Sequence, residues 1–217
     1  MSFTQALRNL TNGFLVLFLI IALAGCTGGT LPKHEDTAEG VIENISFEET
    51  EEQTDYVKFE MMDGGIMIAQ LYPEIAPLTV ANFKKLVSRD FYNGLIFHRV
   101  IKDFVIQTGD STGLGTGGSN ETVKGEFGIN GFTNNLSHER GVLSMARLSN
   151  DYDSASSQIF ICHGDCRSSL DGKYAAFGKI LAGYDVLDKI ASAKTNASDR
   201  PVEDQQISSV KFVNITK

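Results

Sequence analysis

Tryptophan is absent from the 217 residues, and cysteine occurs three times, at Cys26, Cys162 and Cys166. Fourteen phenylalanines are left as the main aromatic, which suits an ordinary globular core. Signatures of several chemistries are missing as well. No serine stands in a nucleophile elbow, and no pair of carboxylates is marked out for acid-base work. Gly113, Gly115, Gly117 and Gly118 lack the Lys-Ser/Thr ending and the strand-to-helix setting of a phosphate loop, which leaves a surface loop with turn-forming glycines. Cys162, His163 and Cys166 suggest no fourth ligand, and His34, His98 and His138 show no ligand spacing. Neither a metal nor a cofactor is therefore expected. Basic residues are also in deficit, 19 against 27 acidic ones for a net charge of −8, which argues against nucleic-acid partners and against lying flat on anionic lipid.

What is present begins with a leader. One basic residue, Arg8, precedes the apolar run Phe14 to Leu23, too short to span a bilayer comfortably but right for the core of a secretory signal. The run ends in Leu23-Ala24-Gly25-Cys26, wording that resembles a bacterial lipobox. That resemblance implies cleavage after residue 25, lipidation of Cys26 and a membrane-anchored location on the extracytoplasmic face. A diacylglyceryl group supplies the two chains that stable anchoring needs. The alternative is a short N-terminal transmembrane anchor with an incidental cysteine. Residues 26–53, with Glu48-Glu49-Thr50-Glu51-Glu52, read as an acidic flexible tether, although alternation from Val41 to Phe47 allows a short strand.

From residue 54 the pattern is that of a folded domain. Alternation over Tyr56 to Met61 and Ile66 to Tyr72 around Asp63-Gly64-Gly65 predicts a hairpin. Val80, Phe83, Leu86 and Val87 predict a helix from Pro77 through Arg89. Short strands are expected at residues 141–146, 158–162 and 174–180, a helix at 184–190 and a last strand at 210–213. Many short strands with two helices point to an antiparallel sheet or barrel. Cys162 and Cys166 are an even pair in an exported chain, so a disulfide between them is allowed by spacing, as is a pair of separate thiols.

One stretch, Phe97 to Asp110, organises the rest. It is mostly apolar, yet Arg99 and Gln107 stand among positions expected to be buried. Arg99 could pair with a carboxylate or extend to the surface. The wording Phe97-His98-Arg99-Val100-Ile101, then Phe104, then Gln107-Thr108-Gly109-Asp110 resembles the signature of the cyclophilin-type peptidyl-prolyl isomerases. The resemblance continues in Gly141 to Ala146, in Ser156 to Ile161 and in Leu170 to Gly178, and covers roughly residues 54–217.

The resemblance implies a mainly β fold, a closed eight-stranded antiparallel barrel capped by two α-helices. It implies prolyl isomerisation without cofactor or covalent intermediate, with Arg99 as the cationic donor to the prolyl nitrogen. Phe104, Val105, Phe160 and Leu170 would line the proline pocket, with Gln107, Met145 and Ala146 fixing the substrate chain and Arg147 and Tyr174 at the groove. His98, Phe59 and Phe83 read as structural. Partners are then proline-containing unfolded or exported polypeptides at a cell envelope. An alternative is a peptide-binding or holding module with little catalysis. Four positions depart from the family pattern: Val105, Arg147, Ser169 and Tyr174. Ser169 replaces an aromatic and should weaken cyclosporin binding; Arg147 adds a cation that can bias substrate choice.

Overall fold

The computed structural model describes residues 45–216. The expected signal sequence, Cys26 and the tether as far as residue 44 lie outside the described residues.

Local chemistry accounts for the first elements. Alternating residues make β2 (Tyr56–Met61) and β3 (Ile66–Leu71), paired antiparallel across a turn in which Gly64 takes φ 83°. Pro77 opens α1 (Pro77–Val87), where a missing N–H costs nothing. No side chain caps α1 locally. Instead Glu126, buried and 47 residues downstream of Thr79, accepts from Leu78 N at 3.0 Å and Thr79 N at 2.9 Å. The helix sets Val80, Phe83, Leu86 and Val87 against the sheet, where Phe83 lies 6.3 Å from Phe59, 5.1 Å from Tyr92 and 5.2 Å from Phe177.

The remaining strands are β1 (Ser46–Thr50), β4 (Arg99–Ile101), β5 (Val105–Thr108), β6 (Val142–Met145), β7 (Ile159–Cys162), β8 (Ala176–Ala182) and β9 (Ile207–Thr216). Two helices, α2 (Arg167–Leu170) and α3 (Tyr184–Ala191), complete the fold. The sheet runs β1-β9-β2-β3-β8-β6-β7-β5-β4 with every pair antiparallel.

This corrects the expected closed eight-stranded barrel. Among the described residues there are nine strands, and β1 and β4 end the sheet without pairing to each other. A bridge from Ile96 to Gln206 and the bond from Val100 N to Asp199 O (2.8 Å) bring the β4 edge towards the segment before β9 without forming a ladder. The ninth strand comes from the acidic stretch. Residues 46–50, expected within the tether, pair with β9, and Glu49 together with Glu60 engages the buried Lys58. Burial pulls the Lys58 ammonium down, but those two carboxylates outweigh it and its pKa is raised. The helix α2 is a single turn without apolar periodicity and was not expected.

Alternation along the strands gives the sheet two faces with different tasks. Val100, Ile106, Leu143, Met145, Ile159 and Ile161 turn into the main core. Their neighbours Val105, Val142, Phe160 and Cys162 turn the other way, into a second apolar cluster with Cys166, Leu170 and Ala176.

Candidate active site

The second face carries the site. One cavity of about 250 Å³ is lined by Arg99, Phe104, Val105, Gln107, Ala146, Arg147, Phe160, Leu170 and Tyr174. These residues come from β4, the β4–β5 turn, β5, β7, α2 and the segments after β6 and before β8, and strand parity selects those on strands: Arg99, Val105, Gln107 and Phe160 all point away from the main core. Met145 does not join them. One residue out of phase with Ser144, it is 2% exposed inside the main core beside Ile159. Its expected contact with a substrate chain is therefore corrected to a packing role.

Arg99 and Gln107 are register partners, and the guanidinium Nη1 donates to Gln107 Oε1 at 3.4 Å. Gln107 Nε2 donates to Gln158 Oε1 at 2.8 Å, and Gln158 Nε2 donates to Gly117 O at 2.7 Å and Gly115 O at 3.2 Å. Asp199 stands 3.6 Å from Arg99 Nε. The pairing reading for this arginine thus holds, yet its side chain remains 40% exposed beside an apolar cavity. A cation held by one carboxylate and one amide, with donors left over, can address a group bound next to Phe160. Ala146 N is spent on Gln158 O (2.9 Å), so its carbonyl is the backbone group left for a peptide.

The Gly-rich segment is a wall. Asp110, 1% exposed, accepts from Thr112 N (2.8 Å), Thr112 Oγ1 (2.9 Å) and Gly115 N. Burial pushes this carboxyl up, but the Thr112 and Gly115 hydrogen bonds prevail and its pKa is lowered. The loop is therefore tied down by an ionised anchor.

Behind Phe160 lies a network that sequence reasoning missed. His138 Nδ1 is 2.8 Å from Asp171 Oδ1, its Nε2 is 2.9 Å from Ser144 Oγ, and its ring stacks on Phe160 at 6.0 Å and 24°. The order of groups is that of a hydrolytic triad, but Ser144 is fully buried and no substrate reaches it. The network braces the pocket instead. Asp171 and Ser144 lie within the resembling blocks Leu170 to Gly178 and Gly141 to Ala146, but only the fold brings them to His138.

Arg147 lines the cavity, but its guanidinium is engaged within the protein. Its guanidinium sits 4.7 Å from the Tyr174 ring centroid, 4.8 Å from Tyr152 and 5.2 Å from Phe127. Its donors go to Lys173 O (3.0 and 3.2 Å), Leu148 O (2.8 Å) and Ser149 O (3.3 Å). It clamps the groove wall through Tyr174, which meets Phe160 edge-on at 5.7 Å. Arg147→Lys should lower kcat/KM by about fivefold, the scale of ~1 kcal/mol for exposed cation-π contacts, whatever the charge of the residue before proline. A loss confined to peptides with an acidic residue there would restore the charge-reading role.

His98 is 6% exposed, and neither ring nitrogen has a hydrogen-bond partner among the described residues. Burial lowers its pKa; Asp110 opposes that, while Arg200 and Arg99 add to it. His138 is lowered in the same sense, by burial acting against Asp171. A histidine whose folded pKa lies below its unfolded value of about 6.5 takes its proton first in the unfolded chain. Stability should consequently fall as pH drops below about 6.5, towards the folded pKa values. Urea melts at pH 7.5 and 5.5 measure this, and His98→Leu should shrink the difference; an unchanged difference would assign the acid sensitivity elsewhere.

Cys162 and Cys166 are both buried and are free thiols in this structure, with Cys166 Sγ donating to Phe104 O at 3.2 Å. Among the described residues no group of three His, Cys, Asp or Glu side chains could hold a metal ion.

Comparison with known proteins bears on this geometry. Residues 56–212 match the family model described as cyclophilin type peptidyl-prolyl cis-trans isomerase/CLD. Peptidyl-prolyl cis-trans isomerase 10 of Caenorhabditis elegans is 42% identical over 155 residues, 71% of this chain and 92% of that protein. Peptidyl-prolyl cis-trans isomerase B of Bacillus subtilis is 46% identical over 127 residues, 58% of this chain and 84% of the relative. Among solved structures, a Cryptosporidium parvum cyclophilin type isomerase, crystallised in the presence of the dipeptide Ala-Pro, superposes with a TM-score of 0.66 at 29% identity, covering 72% of this chain and 98% of the other. A sheet of this topology, an arginine beside an apolar cavity and a family match over residues 56–212 lead to one assignment: the chain belongs to the cyclophilin-type peptidyl-prolyl cis-trans isomerases.

Proposed function

We propose that this chain is a lipid-anchored prolyl isomerase of a bacterial cell envelope, acting on unfolded or newly exported polypeptides with Arg99 as its electrophilic donor. The observation that carries the catalytic part is the meeting of Arg99 with Phe104, Val105, Phe160 and Leu170 on one cavity. An X-Pro amide resists rotation, with a barrier of roughly 18–20 kcal/mol, because the nitrogen lone pair is delocalised into the carbonyl. As the bond twists, that lone pair becomes a hydrogen-bond acceptor. The apolar cavity holds the proline ring, and a guanidinium N–H donates to the nitrogen only in the twisted state, so the transition state is bound more tightly than either planar isomer. Gln107, fixed by Gln158, holds both Arg99 and the chain ahead of the ring. No bond to the protein forms or breaks.

The envelope location rests on residues 14–26, an apolar run closing on Leu23-Ala24-Gly25-Cys26. Slow X-Pro isomerisation limits the folding of exported chains, and an anchored catalyst meets them as they emerge. Cyclosporin binds weakly because Ser169, exposed on α2, supplies no aromatic at the rim. The test is expression of the full chain in a bacterial host. Mass spectrometry should find a mature N-terminus at a diacylglyceryl Cys26 in the membrane fraction, and Cys26→Ala should abolish that product. An unmodified Cys26 in a soluble full-length chain would sink the anchored reading and leave the isomerase standing.

A further inference from the structure

The proline cavity is one of three neighbouring cavities. It shares Gln107, Ala146 and Arg147 with a cavity of about 440 Å³ whose far wall is the loop from Gly115 to Ser119. That cavity in turn shares Gly118 and Ser119 with a third, of about 270 Å³, reaching the C-terminal end of α1. Shared lining residues make the three cavities neighbours, within reach of one extended chain.

The third cavity has a chemistry of its own. Leu86 and Phe91 give it an apolar side, and Lys85, Arg89, Asn120 and Glu121 give it a polar one. Lys85 pairs with Glu121. Both are solvent-exposed, so a ligand carboxylate can replace Glu121 at little cost. Arg89 is exposed, and among the described residues no carboxylate lies within 4 Å of it. It stands past Val87, the last residue of α1, while Lys84 in the last turn is already spent on Asp55 at 2.6 Å. Two cations against one anion leave a local surplus of +1 on a chain whose net charge is −8. An acidic segment repelled by most of the surface finds attraction here.

We propose that this third cavity is a further substrate subsite, taking an acidic side chain of the same extended polypeptide whose proline sits beside Arg99. The proposal rests on the isomerase reading and names a substrate preference within it: proline segments with a carboxylate several residues from the ring.

The test uses the full chain, a four-residue proline peptide, and decapeptides carrying Glu or Gln at successive distances on either side of proline. At one distance the Glu decapeptide should exceed its Gln counterpart by about threefold to fivefold in kcat/KM, the scale of an exposed ion pair. The advantage should vanish in Arg89→Ala and at high salt, with four-residue turnover unchanged. Fluorescence anisotropy of the same decapeptides, which needs no turnover, separates the two readings. A Glu preference in binding that Arg89→Ala abolishes, without any catalysis, would support the subsite and fault the isomerase reading alone. Equal binding of Glu and Gln decapeptides at every distance, or a preference that Arg89→Ala leaves intact, overturns the subsite.

Discussion

Arg99→Ala is expected to reduce kcat/KM on a short proline peptide by about a hundredfold or more, the usual cost of removing a preorganised transition-state donor. A hundredfold corresponds to about 2.7 kcal/mol at the transition state. The loss should fall on kcat more than on KM, because the apolar walls Phe104, Phe160 and Leu170 that hold the ring stay in place. Thermal stability should hardly change, since the ion pair with Asp199 is partly exposed at 3.6 Å and pairs of that kind contribute at most ~1 kcal/mol. Arg99→Lys should recover little, because a point charge on a flexible stem cannot donate to Gln107 and to the prolyl nitrogen in one planar geometry. A variant retaining more than about a third of parent turnover would remove Arg99 from the donor role and leave the cavity's shape as the catalytic agent.

Glu126→Ala should produce the largest change in stability among single polar substitutions, about 2–3 kcal/mol. Alpha-helical N–H groups in the first turn have no partner within the helix, and α1 has no local cap. Both oxygens of Glu126 answer that need, and the positive end of the helix dipole favours their charge. Truncation leaves Leu78 N and Thr79 N unpaired at a site where Thr79 is 1% exposed. For a domain of this size the melting temperature should fall by roughly 5–10 °C. Glu126→Gln, which keeps one acceptor and loses the charge, should lie between. Calorimetry decides the matter, and a shift below about 1 °C would mean that water caps the helix as well as the carboxylate does. Turnover below the transition should survive, because Glu126 lies outside the groove.

The two cases differ in how far the sequence announced them. Arg99 was visible because a lone guanidinium in an apolar strand contradicts its surroundings, and parity with Val105, Gln107 and Phe160 places all four on one face. Glu126 announced nothing. A carboxylate in a Gly-rich loop reads as solvated until the fold carries it to a helix start 47 residues away. Arg147 was legible as a groove residue but not as a clamp, since its aromatic partners Phe127, Tyr152 and Tyr174 come from three separate segments. Met145 was misplaced by one step of alternation, which in a strand exchanges core for groove.

Period-two and helical patterns by themselves determined the hairpin of β2 and β3, the helix α1 with its four buried apolar positions, and the strands that carry the site, because these are local consequences of backbone geometry. The strand count and the open sheet were decided by tertiary structure. The alternation from Val41 to Phe47 only allowed a strand; residues 46–50 acquire theirs from the free edge of β9 and the pairing of Glu49 with Lys58. The Ser144-His138-Asp171 brace, the surroundings of Cys162 and Cys166 and the cavity beside Arg89 also depend on which distant segments meet. Such meetings follow from burial of the whole chain at once, and no local pattern encodes them.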